Sequence, residues 1–142
     1  MRRPLVFVDT WAWLAAAVSD DPDHGRVRQL NADLEARGAQ RVTSVMVLGE
    51  TLTRLRYDVS HRAAVAVADA FAEMAAGGVL DLVVPDALIC SQALDWFRRF
   101  DDQRFSFVDC TSFAIMAQRG ISEALTGDRH FAAAGFVALG AI

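Results

Sequence analysis

The stretch Leu5-Val6-Phe7-Val8-Asp9-Thr10-Trp11-Ala12-Trp13-Leu14-Ala15 decides how the chain is read. A short, β-branched apolar run predicts a strand from Leu5 to Val8, and the pattern then changes to a helical one from Trp11 to Val18. Asp9 stands at the junction. An unpaired charge in such surroundings is expensive unless something neutralises it. Three further acids occupy comparable places: Glu50 in Val47-Leu48-Gly49-Glu50, Asp109 in Phe107-Val108-Asp109-Cys110, and Asp128 in Leu125-Thr126-Gly127-Asp128. Four acids at strand ends or near helix starts, in a chain without lysine, point to a carboxylate site held by a divalent cation.

Working outward, further strands are predicted at Arg41 to Thr43, Leu80 to Val84, Ala124 to Thr126 and, more weakly, Val137 to Leu139. Helical patterns cover His24 to Arg37, Val45 to Tyr57, His61 to Ala76, Ala87 to Phe100 and Val108 to Arg119. Ser60 and Asp86 are expected N-caps, and Gly38, Gly77-Gly78 and Gly120 expected stops. Strands separated by helices imply parallel pairing through right-handed crossovers. The expected fold is therefore α/β, a three-layer α/β/α sandwich around a mainly parallel sheet of about five strands. At 142 residues the chain is expected to form a single domain, 1–142.

That layout gives the acids a common address. Asp9 and Asp128 follow the first and fourth strands, at the carboxyl edge where open α/β sheets bind ligands. Glu50 lies in a helix leaving the same edge, and the helix carrying Asp109 must begin there to run back to the next strand. Each acid also has an ordinary explanation. Asp9 and Asp109 could be helix N-caps. Glu50 could pair with Arg54, for about 0.3 to 0.5 kcal/mol, and Asp128 after Gly127 could be a turn residue. Four such coincidences on one sheet edge are harder to accept than one site.

Composition limits the other possibilities. The apolar fraction of 54% is high, which suggests a sticky surface and a partner. Cys90 and Cys110 lack CxxC spacing and read as buried thiols in a reducing compartment. Arg2-Arg3 before an apolar run imitates a secretory signal, but Asp9 within a membrane-inserting segment would cost about 2.5 to 3.5 kcal/mol, so a cytoplasmic first strand is expected, with no membrane span. The net charge of −4 equals the number of proposed site acids, so cation binding would leave the remaining surface about neutral. Arg98, Arg99, Arg104 and Arg129 flank the site segments and are candidates for guiding phosphates. Trp11, Trp13, Phe105 and Phe107 are candidates for a stacking surface, against the commoner use of aromatics as core.

Phe7-Val8-Asp9-Thr10, Glu50 within Val45-Met46-Val47-Leu48-Gly49-Glu50-Thr51, Phe105-Ser106-Phe107-Val108-Asp109-Cys110-Thr111-Ser112-Phe113 and Leu125-Thr126-Gly127-Asp128-Arg129-His130-Phe131 together resemble the PIN-domain ribonucleases of the VapC toxin type. The resemblance spans nearly the whole chain in order. It implies Mg²⁺ or Mn²⁺ bound by Asp9, Glu50, Asp109 and Asp128, cleavage of an RNA substrate, a cognate VapB-type antitoxin over the acidic groove, and a homodimer. Gly127 departs from the pattern, because a bulkier residue commonly precedes the final aspartate.

Residue types alone support the same chemistry. Clustered carboxylates suit Mg²⁺ or Mn²⁺ and leave coordination positions for water and phosphate oxygens. Asp9, Glu50 and Asp109 are the expected ligands, direct or through water, with Asp128 completing the shell; Thr10 could hydrogen-bond a carboxylate or substrate, or simply start a helix. Receiver domains, dehalogenase-like phosphatases and P-loop enzymes normally need a site lysine, which is missing. A metal-independent ribonuclease would use histidines, but His24, His61 and His130 suggest no pairing. A non-catalytic PIN-fold module binding RNA or protein is the remaining alternative, and it would be expected to lack some of the acids.

Overall fold

The computed structural model of the chain describes residues 3–141. Five strands, β1 (Leu5–Val8), β2 (Gln40–Ser44), β3 (Leu80–Val83), β4 (Glu123–Leu125) and β5 (Val137–Ala138), form one sheet in the order β3-β2-β1-β4-β5. Every pairing is parallel. Among the described residues seven helices join them: α1 (Thr10–Ala17), α2 (His24–Ala36), α3 (Val45–Asp58), α4 (His61–Ala76), α5 (Ala87–Arg99), α6 (Phe107–Arg119) and α7 (Arg129–Ala133).

β1 is central because it can be buried on both faces. Val6, Phe7 and Val8 have at most 2% of their surface exposed, and alternation along the strand sends them into different cores. Phe7 joins Val42, Val47, Ile89, Phe113 and Ile115 on one side. Val6 and Val8 join Ala12, Leu34 and Leu125 on the other. The sheet thus separates α5 and α6 from α1 and α2, the three-layer α/β/α arrangement expected from the sequence. Trp13 closes part of the junction with α4 by packing on Phe71, ring centres 4.5 Å apart.

Helix ends follow local chemistry. Ser44, Ser60 and Asp86 accept hydrogen bonds from the backbone amides of Val47, Ala63 and Ile89, fixing the starts of α3, α4 and α5. Gly120 ends α6 in the left-handed region at φ 66°, where a side chain would be strained. Cys90 and Cys110 are both free thiols, and burial, with Asp109 alongside, pushes the Cys110 thiol up to about 11. Among the described residues no helix is long and apolar enough to cross a membrane.

The topology also creates the site. From β1 the chain moves outward through β2 to β3, then returns to add β4 and β5 on the opposite flank. Connections leaving β1 and β4 therefore diverge, which opens a crevice at the carboxyl ends of the two strands. Asp9 and Asp128 follow those ends.

Candidate active site

A cleft of about 430 Å³ lies at this crevice, and Asp9, Glu50, Asp109 and Asp128 all line it. The sequence expectation that the four would converge is met at the level of the cleft. A tighter group exists within it: one ligating atom from each of Asp109, Asp128 and His130 lies within 4.8 Å of the others. Among the described residues Asp9 and Glu50 stand outside that group.

Asp9 occupies the N-cap position of α1 but makes no side-chain capping bond. Its backbone amide completes the β1–β4 ladder by donating to Leu125 O at 3.2 Å, and its carboxylate Oδ2 accepts from Thr126 Oγ1 at 2.9 Å. With 5% of its surface exposed, the carboxyl is pushed up to about 7, first by burial and then by the charges of Asp109 and Asp128, against the Thr126 hydroxyl and the Thr10 amide. Beside it, Thr10 Oγ1 is buried with no hydrogen-bond partner, although Thr10 lines the cleft. A buried acid whose charge is penalised by desolvation and an orphaned hydroxyl are two defects that an oxygen-preferring cation and its water shell would repair.

Asp109 is placed differently. Ser106 caps α6, its Oγ accepting from Asp109 N at 3.0 Å, while Asp109 Oδ2 accepts from Ser106 N at 3.1 Å, a reciprocal capping box. Asp109 is thus not the N-cap that the ordinary explanation supposed, because Ser106 holds that position; it is the third helical residue and takes part in the cap from there, alongside its place in the cleft. Asp128 caps the short α7, Oδ1 accepting from His130 N at 2.9 Å. Thr126 Oγ1 accepts from Asp128 N at 3.0 Å as it donates to Asp9, so one hydroxyl joins the two strand-end acids. Glu50 is half-buried on α3, and no ion pair with Arg54 forms among the described residues, so the pairing explanation fails there.

Several expectations need correction. The sequence reading of the histidines missed one contact: His130 Nδ1 lies 2.8 Å from Asp109 Oδ2 and 3.4 Å from Asp128 Oδ1. The sequence separates His130 from Asp109 by a helix and a strand, and only the meeting of the α6 and α7 starts reveals the contact. His24 bonds Ala15 O at 2.7 Å and His61 lies 3.0 Å from Arg56, both away from the acids. Of the four arginines proposed to guide phosphates, only Arg104 lines the cleft, and Arg54 joins it from α3. Arg98 lies 3.6 Å from Asp95, and Arg99 lies over the Phe100 ring. Of the four aromatics, Trp11 lines the cleft, whereas Phe105 is buried and Trp13 and Phe107 pack on the core.

Trp11 explains the unusual Gly127. A Cβ at Gly127 would fall 2.6 Å from Trp11 Cζ2 and 2.7 Å from its Nε1; one at Gly140 would fall 2.7 Å from Cζ3. The indole fills the space that a larger residue would take, with the Arg26 guanidinium 5.2 Å from the ring centre.

With this geometry established, comparison with known proteins is direct. Residues 6–137 match the PIN domain family. The 23S rRNA-specific endonuclease VapC20 of Mycobacterium tuberculosis, in strains CDC 1551 and H37Rv alike, is 40% identical over 133 residues, 94% of this chain and 96% of the relative. The crystal structure of M. tuberculosis VapC20, described as a sarcin-ricin loop cleaving toxin, superposes with a TM-score of 0.83 at 39% identity, covering 93% of this chain and 96% of that one. VapBC2 from Rickettsia felis, bound to a DNA fragment from its promoter, shares the fold at a TM-score of 0.68 and 12% identity, over 94% and 96% of the two chains. The chain belongs to the PIN-domain family, and its similarity to VapC20 over nearly its whole length places it among the VapC-type members.

Proposed function

We propose that the chain is a metal-dependent endoribonuclease, the toxin of a VapBC-type module, and that its substrate is 23S ribosomal RNA at or near the sarcin-ricin loop. The observation that carries the reading is the convergence of Asp9, Glu50, Asp109 and Asp128 on one cleft, in a chain 40% identical to a 23S rRNA-specific endonuclease.

The donor set suits Mg²⁺ or Mn²⁺, with Asp9, Glu50, Asp109 and Asp128 as the residues that would hold the ion. Such an ion supplies neutralisation of the phosphate and a water acidic enough to attack it. The protein contributes position. Thr126 fixes the Asp9 carboxylate, Ser106 fixes that of Asp109, and the start of α7 fixes Asp128. Arg104 and Arg54 line the same cleft and offer guanidinium groups to backbone phosphates. Trp11 and Leu14 give the cleft an apolar wall against which a base can rest.

A VapB-type antitoxin that covers the acidic cleft, a homodimer and action in the cytoplasm complete the proposal. The test is to map cleavage by primer extension on intact ribosomes, naked 23S RNA and a tRNA pool. A single cut in the sarcin-ricin loop is the expected result. Cleavage confined to tRNA would remove the ribosomal assignment while keeping the nuclease.

A further inference from the structure

We propose that His130 is a direct ligand of the bound cation through Nδ1, and that this nitrogen makes the site selective for a first-row transition ion such as Mn²⁺ over Mg²⁺. The inference rests on the metal-dependent reading above and adds a ligand to it.

Spacing is the first argument. Ligands about 2.1 Å from an octahedral ion and adjacent to each other lie about 3 Å apart. His130 Nδ1 is 2.8 Å from Asp109 Oδ2 and 3.4 Å from Asp128 Oδ1. Without an ion, the short contact is a hydrogen bond from Nδ1–H to the carboxylate. An ion seated among the three atoms replaces that bond, with the ring proton carried on Nε2 in the other tautomer.

Rigidity is the second argument. Asp128 Oδ1 accepts from the His130 amide, so ligand and imidazole are held by one cap at the start of α7. Phe105 meets the imidazole ring edge-on, centroids 5.5 Å apart at 76°, and Phe105 is itself buried against Phe113 at 5.0 Å. Asp109 is held from the other side by Ser106. The nitrogen is therefore placed by elements that do not need the ion.

Chemistry supplies the selectivity. Mg²⁺ holds hard oxygen ligands and gives up water reluctantly, whereas transition ions accept imidazole. A carboxylate-only site would distinguish the two ions weakly.

The experiment measures Mn²⁺ and Mg²⁺ binding by titration calorimetry on the wild-type chain and on His130→Asn, with pulsed electron paramagnetic resonance of the Mn²⁺ forms. Asn retains a group able to donate to Asp109, so the variant tests the ligand rather than the hydrogen bond. We expect at least tenfold tighter Mn²⁺ than Mg²⁺ binding in the wild type, about a tenfold loss for Mn²⁺ alone in His130→Asn, and nitrogen-14 coupling from a bound imidazole that the variant lacks. Equal losses for both ions, or no nitrogen coupling in the wild type, would overturn the assignment and leave His130 as a hydrogen-bond clamp on Asp109. Absence of binding by either ion to the wild type would instead remove the metal-dependent reading itself.

Discussion

The two walls of the cleft hold the same side chain in opposite ways. On the β1 wall, Asp9 is buried, makes no capping bond and is pushed up to about 7. Across from it, Asp109 and Asp128 sit in the first turn of α6 and at the N-cap of α7, each accepting from backbone amides. Helix starts provide backbone amides already oriented to hold a carboxylate in place. At the end of β1, Asp9 accepts from the Thr126 hydroxyl and the Thr10 amide, and burial outweighs both. The fold itself orients the Asp109 and Asp128 carboxylates, whereas the buried Asp9 carboxyl needs a cation to hold its charge.

The strongest way to break this comparison is Asp9→Asn, which keeps an acceptor for Thr126 and removes the charge. Burial raises the folded-state value from 3.8 to about 7, so the folded protein holds this proton more tightly than the unfolded chain does. In the metal-free protein stability should fall as the pH rises from about 4 to 7, by at most about 4 kcal/mol, and stay low above 7. The Asn variant should lack that fall and melt higher than wild type at pH 8, with the two converging near pH 4. Saturating Mn²⁺ should raise the wild-type melting temperature at pH 8 and leave the variant nearly unmoved. Identical pH profiles in chemical denaturation would show that Asp9 is already satisfied without an ion.

The junction of the two walls comes next in size. Gly127→Ala drives a methyl group into the Trp11 indole, with an expected cost of about 1 to 3 kcal/mol. Combining it with Trp11→Leu should recover most of the loss, because the space is shared. Additive losses in a double-mutant cycle would mean that the two residues do not compete for that space.

On the capped wall, Ser106→Ala removes half of the capping box, for about 1 kcal/mol. It should weaken metal binding only modestly, because the backbone amide at position 106 still donates to Asp109 Oδ2. The smallest effect belongs to the phosphate contacts. Arg104→Ala should weaken RNA binding a few-fold, reduce its salt dependence by about one charge and leave metal affinity unchanged.

Much of this was legible in the sequence, for identifiable reasons. Leu5 to Val8 and His61 to Ala76 match their elements to the residue, because an unbroken apolar run and a Ser60 cap are local signals. The shared sheet edge followed from strand and helix alternation. What escaped was short or non-local. α7 has five residues, fewer than a periodic pattern needs, so the ordinary alternative for Asp128, a turn residue, was the wrong one, and the structure makes it a cap. Thr126 and His130 act across the topology, Thr126 on Asp9 and His130 on Asp109, and nothing in their immediate sequence announces it. Arg98 and Arg99 were misplaced because residues close to a site in sequence need not face it; both lie on the last turn of α5, away from the cleft. Gly127 became intelligible only with Trp11 beside it.

The central claim is that a cation held by the four acids drives RNA cleavage, and one assay addresses it: cleavage of 23S ribosomal RNA by the purified chain with Mn²⁺ or Mg²⁺, with excess EDTA, and with Asp9→Asn. The account predicts cleavage only with ion and intact Asp9, falling by at least about a hundredfold when either is removed. Cleavage that persists in EDTA, or in Asp9→Asn at the wild-type rate, would contradict it.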